Sequence, residues 1–309
     1  MLHITSLEEG LDLFKTLGSD IRIAIIKQLS QNKKMNMNEL ASSLNITNGA
    51  LTSHIKRLED CGIITISNES TGHGNEKRCS LHLDKILIDI LPPDDNCNIY
   101  ETDIKIGQYC DYQVSPTCGL ATTSSLIGEV DNIRYFSHPD RMDANIIWFS
   151  KGYVEYIIPN FIPASQKIEQ IMISVELGSE APGSNSTWPS DIHFYLNGIC
   201  LGYWTSPGDF GDERGLFTPS WWFPNWNQYG MLKLIVVNQE GTFIDGLKIS
   251  EVSLNSLKLD FRSPLKLKFA VPETTKHIGG VTIFGSGFGN YNQDIHVCIG
   301  YKPIYSEEK

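Results

Sequence analysis

The first 90 residues carry apolar side chains at helical spacing, but from Asn98 onward no 3.6-residue period is sustained. A chain of 309 residues with such a switch holds at least two bodies, one helical and one built of strands. The tryptophans follow the same division: all six (148, 188, 204, 221, 222 and 226) lie in the later part, and the first aromatic after Phe14 is Tyr100. Charge divides with them. Residues 1–91 hold 10 Lys and Arg against 11 Asp and Glu, leaving 15 basic and 25 acidic side chains for the rest. Paired prolines and aspartates in LPPDDNCN stop the helical pattern, so the expected domains are 1–91 and 99–309 with a linker at 92–98.

In the first body, Ser6 stands three residues before Glu9, a capping box for a helix that stops near Gly18. A second helix from Ser19 places Ile21, Ile25, Ile26 and Leu29 on one face. After the polar break QNKKMN, a short helix MNELASSLN precedes NGALTSHIKRLED, which Thr47 can cap. Leu51, Ile55 and Leu58 recur at core spacing in that helix and leave Asn48, Gly49, Thr52, Ser53, Lys56 and Arg57 outward. Small polar groups followed by a basic pair suit a helix lying in a DNA major groove. CGIITIS and KRCSLHL flank the Gly-containing NESTGHGNE as a hairpin, and DKILIDIL closes the unit as a last short helix. Together these elements predict a winged helix-turn-helix with Lys77 and Arg78 on the wing.

The run NMNELASSLNITNGALTSHIKRLEDCGIITI resembles the bacterial ArsR-type winged-helix regulators over about 80 residues. The resemblance implies a dimeric transcriptional regulator, usually a repressor, with residues 47–56 as recognition helix and double-stranded operator DNA as partner. Metal sensors of that family carry cysteines in the first of the two DNA-binding helices. MNELASSLN has none, so metalloid sensing is not implied.

Beyond the linker, runs such as IYETDIKIG, YVEYIIP, KIEQIMISVEL, DIHFYLNG and LKLIVVN alternate with Gly, Pro, Asn and Asp turns. They predict an antiparallel β-sandwich, jelly-roll-like, giving an α+β multidomain chain overall. Alternation in KIEQIMISVEL turns Ile168, Ile171 or Met172, and Val175 inward, and Glu169 and Glu176 outward. Residues 188–230 hold five of the six tryptophans among short carboxylates and amides. Flat rings beside such groups grip sugars, which makes Trp204, Trp221 and Trp222 an expected stacking wall and Asp209, Asp212 and Arg214 its polar partners. The same tryptophans serve equally as core residues whose N–H groups need acceptors.

Several functions are excluded or unsupported. Apolar runs such as LIVV are far shorter than the roughly 20 residues that cross a bilayer. The opening MLHITSLEEGLDLF places two glutamates where a signal peptide would be basic, so a cytoplasmic location is expected. Seven scattered cysteines without a CxxC pair read as free thiols, and no metal or cofactor is expected. FGSGFGN lies between strands rather than before a helix, which rules against a dinucleotide loop. The expected function is therefore a non-enzymatic, homodimeric DNA-binding regulator whose β domain senses a small polar effector, with a carbohydrate as the class its composition suits. A carbohydrate-active enzyme with a winged-helix appendage and a pure dimerisation or docking module are the rivals.

Overall fold

The computed structural model describes residues 2–4, 6–32, 34–71, 74–83, 86–88, 90 and 97–304. Residues 92–96 of the expected linker lie outside them, and Asn98 already begins a strand. The chain divides into two compact units, 1–95 and 96–309.

In the first unit helix α1 spans Leu11–Leu17. It starts later than its sequence suggests, because Ser6 Oγ accepts the Glu9 N–H at 3.2 Å and closes a separate turn before Gly10. Helix α2, Asp20–Asn32, buries Ile25 and Leu29 as expected, but Ile21 is exposed and Arg22 is buried in its place. The Arg22 guanidinium donates to the carbonyls of Lys15 and Thr16, which are left over at the C-terminal end of α1. Helix α3, Met37–Leu44, carries a capping box: Asn36 Oδ1 accepts from Glu39 N at 2.8 Å, and Glu39 Oε2 accepts from Asn36 N at 2.7 Å. Asn45 ends it in the left-handed conformation at φ 52°. Helix α4, Asn48–Asp60, follows with Thr47 Oγ1 accepting from Ala50 N.

Three short strands differ from the expected pattern. Strand β1 is Leu2–Ile4, and β2, Lys34–Asn36, occupies the polar break before α3. Strands β3, Ile64–Thr71, and β4, Gly74–Leu81, form the wing, reaching further into NESTGHGNE than its composition suggests; residues 72 and 73 of the turn lie outside the described residues. The sheet order is β2-β4-β3. The expected closing helix is instead strand β5, Ile86–Ile88, paired in parallel with β1. An Ile-Leu-Ile run gains more from a neighbouring strand than from a turn of isolated helix. The helices and wing share one core of Leu13, Ile25, Leu29, Leu40, Leu51, Ile55, Leu58 and Ile64.

The second unit is an antiparallel β-sandwich. One layer runs β11 (Ile199–Ser206), β10 (Ser190–Leu196), β15 (Leu265–Val271), β8 (Ile146–Ile158) and β7 (Tyr109–Ala121). The other runs β14 (Leu247–Ser250), β13 (Thr242–Ile244), β12 (Met231–Val237), β9 (Gln166–Gly178), β17 (Ile295–Pro303) and β6 (Asn98–Ile104). Strand β16, Val281–Phe284, joins them by pairing with the start of β8 on one side and the end of β9 on the other. Alternate residues from both layers fill the core, among them Phe149, Val154 and Tyr156 of β8 and Ile171, Ile173, Val175 and Leu177 of β9.

Glu176 on β9 is fully buried, contrary to the outward position that alternation assigns it. Two loops cover that end of the sheet and both bond to its carboxyl. Gly230 N and Asn290 N donate to Oε1 at 2.8 and 2.9 Å, and Tyr291 N donates to Oε2 at 2.9 Å. The same contact explains Gly289 of FGSGFGN: its φ is +71°, and a side chain there would meet the Glu176 carboxyl.

Burial pushes the Glu176 carboxyl up to about 7, against an unfolded value of about 4.3. The folded form therefore keeps a proton that the unfolded chain releases, so this contribution to stability is full below the unfolded value and is lost as pH rises through the folded one. Asp209, also pushed up to about 7 by burial, acts in the same sense. The unfolding midpoint of the β unit is expected to fall between about pH 5 and about pH 8, as read by differential scanning calorimetry. Glu176→Gln should reduce that slope and cost about 1–3 kcal/mol, because the amide turns an N–H₂ toward backbone donors. A midpoint that climbs over this range would contradict the assignment.

Candidate functional site

Helix α4 sets its side chains by one division of faces. Leu51, Ile55 and Leu58 are buried against the other helices, and Asn48, Gly49, Thr52, Ser53, Lys56 and Arg57 are all exposed. Helix α3 fixes the beginning of this face, since Asn48 Nδ2 donates to Asn38 Oδ1 at 2.8 Å. Thr52 Oγ1 donates to Asn48 O at 2.8 Å and Ser53 Oγ to Ala50 O at 2.9 Å. Each hydroxyl proton is thus engaged with the helix backbone, and the oxygens keep lone pairs to offer outward as acceptors. Gly49 needs no special backbone conformation, and a side chain there would meet nothing within 4 Å. Its small size is not required by packing inside the chain and leaves room for close approach from outside.

On the wing, Lys77 is exposed, and Arg78 is ion-paired with Glu76 at 3.2 Å. Glu76 in turn accepts from Asn36 Nδ2 at 2.7 Å. Asn36 therefore caps α3 with one end of its amide and ties down β4 with the other. Lys56 and Arg57 make no ion pair with any described residue, so their charges face solvent.

The structure does not assemble the stacking wall expected in residues 188–230. Trp222 is 1% exposed, packed edge-to-face on Trp148, Trp221, Trp226 and Phe288, with its Nε1 donating to Asn227 O at 2.9 Å. It is a core residue of a satellite cluster and offers no face to a ligand. Trp204 belongs to a different place, packed on the main core beneath Lys233 Nζ at 4.4 Å from its ring centroid. Asp209 is 1% exposed and accepts from Ala181 N at 3.0 Å, so it cannot orient a surface ligand. Three of the six remain on the surface. Trp221 is half-buried with its Nε1 bonded to Thr123 O; Asp212 accepts from Tyr229 Oη at 2.7 Å; Arg214 donates to Pro219 O. Leu216, Phe217 and Phe223 are exposed in the same loop.

A cavity of about 260 Å³ lies beside the satellite cluster and was not legible in the sequence. Trp148 from β8, Trp226, Asn227, Asp131, Thr117 and Glu180 line it. Glu180 follows β9 by two residues and is 7% exposed; its Oε2 accepts from Asn227 Nδ2 at 3.2 Å and from Thr282 Oγ1 at 3.3 Å. Burial, and next the carboxyl of Asp209, hold Glu180 well above the usual carboxylate range. A second cavity, about 340 Å³ and open to solvent to the same degree as the first, is edged by exposed Asn255, Lys258, Asp260, Phe261 and Ile304. Among the described residues no group of three His, Cys, Asp or Glu is placed to hold a metal ion, and no helix is long and apolar enough to cross a membrane.

Residues 19–65 match the model of the winged helix-turn-helix DNA-binding family. No curated protein matches the chain. Among solved structures, a possible transcriptional regulator from Methanosarcina mazei Go1 is similar at 14% identity over 24% of this chain, with a TM-score of 0.21; the chain spans 64% of its length. A transcriptional regulator homologue from Pyrococcus horikoshii OT3 is similar at 23% identity over 23% of this chain and 74% of that one, with a TM-score of 0.20. The chain is also similar to carbohydrate-binding module CBM36 in complex with calcium and xylotriose, at 10% identity over 65% of this chain and 98% of that one, with a TM-score of 0.27.

Asn36 yields a test of how the surface is built. Asn36→Ala removes the cap of α3 and the tie to Glu76, and should cost about 1–2 kcal/mol in urea denaturation of the first unit. Asn36→Asp keeps the cap but sets a carboxylate against Glu76, so its loss should shrink in high salt while that of Asn36→Ala does not.

Proposed function

We propose that the chain is a DNA-binding transcriptional regulator whose β unit senses a small polar metabolite. The observation that carries the first half is the solvent face of α4, where groups suited to base edges and two exposed cations lie along one stripe above a fully apolar buried face. The family match over residues 19–65 supports the same reading. Thr47, Asn48, Thr52 and Ser53 approach bases, while Lys56, Arg57 and Lys77 contact phosphates. Arg78, ion-paired with Glu76 on the wing, contacts a phosphate as well. We further infer an ArsR-like repressor acting as a two-fold homodimer in the cytoplasm, since one short helix covers few base pairs and paired half-sites supply the remaining affinity.

For the β unit we infer a polar effector and no catalytic step. A carbohydrate suits the loop that carries half-buried Trp221 and the exposed carboxylate of Asp212 and guanidinium of Arg214. Binding there would change tryptophan fluorescence and operator affinity together, because a ligand that shifts the DNA-bound equilibrium must bind the two forms differently.

Footprinting on duplex DNA tests the reading and should give two half-sites about one helical turn, or a multiple of it, apart. Lys56→Ala should weaken binding to all sequences alike and lower the salt slope by about one. Gly49→Ala separates function from folding: it should stabilise the first unit by about 0.5–1 kcal/mol, as alanine does in a helix, and weaken operator binding. A Gly49→Ala protein that is both more stable and equally tight on DNA would remove α4 from the interface.

A further inference from the structure

The cavity beside the satellite cluster has a lining whose charges do not balance. Its walls include the indoles of Trp148 and Trp226, set edge-to-face with centroids 5.8 Å apart, and the carboxyls of Glu180 and Asp131. Among the described residues no Lys, Arg or His lines it. Asp209 adds a second buried carboxyl next to Glu180: its Oδ2 is fixed by Ala181 N, and its Oδ1 is buried without a hydrogen-bond partner. The groups that support Glu180 are neutral: the amide of Asn227 and the hydroxyls of Thr117 and Thr282. A buried carboxyl is satisfied by hydrogen-bond donors or by a cation, and among the described lining residues no side chain supplies a cation.

We propose that this cavity binds a small organic cation, an amine or quaternary ammonium head group, held by the Glu180 carboxylate and flanked by the Trp148 and Trp226 indoles. Indole is the strongest of the aromatic side chains at attracting a cation, and the attraction grows when both partners are shielded from water. A volume of about 260 Å³ admits such a head group, whereas a saccharide chain would have to leave most of its length outside. The proposal goes beyond the regulatory reading and does not depend on DNA binding, so either can fail alone.

Proton linkage follows from the same neighbours. In the empty cavity burial, and next the carboxyls of Asp209 and Asp131, oppose ionisation of Glu180. Thr117, Asn227 and Thr282, the other polar groups facing Glu180, carry no charge. An entering cation favours the ionised form. Binding should therefore release a proton, and affinity should rise with pH.

The experiment is isothermal titration of the full chain with choline chloride and with its carbon isostere, in which a tert-butyl group replaces trimethylammonium, at matched ionic strength and in two buffers of different ionisation enthalpy. Choline is expected to bind at least about tenfold more tightly than the isostere, with a net proton released. Glu180→Gln, which keeps the shape of the side chain, and Asp131→Asn, on the exposed rim, should each erase most of that preference at unchanged unfolding cooperativity. Equal binding of choline and isostere would overturn the proposal, as would no binding of choline. Binding of calcium or of glucose in place of choline would overturn it too, by making the site a metal or neutral-sugar site. A preference for choline that survived both variants would place the cation elsewhere and equally defeat it.

Discussion

The β unit is closed at one end by a single buried carboxyl. Glu176 sits on β9, the strand that pairs with β12, β16 and β17, and it bonds the backbone of residue 230 and of residues 290 and 291. Those contacts fix where the long loop after β11 re-enters the sheet and where the glycine-containing loop before β17 turns. The loop after β11 carries Trp221, Trp222 and Trp226, so the part of the aromatic cluster that comes from this loop is positioned from that anchor, against Trp148 of β8 and Phe284 of β16. A buried acid of this kind is costly to leave unbonded, which makes its set of donors an obligation on both loops.

What the sequence disclosed and what it hid can be traced to how far each signal reaches along the chain. Helices α2, α3 and α4 were legible because their periodicity and caps are local: Thr47 caps α4, and the Leu51, Ile55, Leu58 face is buried as the spacing implies. Strands β1, β2 and β5 were not legible, since three residues carry no period and become strands only through partners found elsewhere in the chain. Alternation placed Ile171 and Val175 correctly but failed at Glu176, where loops cover what would otherwise be a solvated position. Two hairpins were signalled and could have been read: Asn197-Gly198 joins β10 to β11 and Asp245-Gly246 joins β13 to β14, all four residues at positive φ.

The same contrast holds for the sites. The outward stripe of α4 is a property of one helix, and one helix is enough to predict it. The cavity draws Thr117, Asp131, Trp148, Glu180 and Trp226 from separate segments, so no window of sequence contains it. The expected sugar wall illustrates the converse error: Trp204, Trp221 and Trp222 are near in sequence, yet the fold assigns one to the main core, one to the satellite core and one to the surface. Composition identified a stretch of unusual chemistry without saying which of its rings would face water.

Strand β16 is four residues long and belongs to both layers, Thr282 lying opposite Trp148 on β8 and Gly178 on β9. Thr282 Oγ1 also bonds Ser179 O and the Glu180 carboxyl. A sandwich without such a strand is two leaves held by apolar contact, free to slide by small shear. Here a slide would break backbone bonds on both flanks of one short segment at once, so the unit behaves as a clamped laminate: a load applied at the edge of one layer is borne by the other.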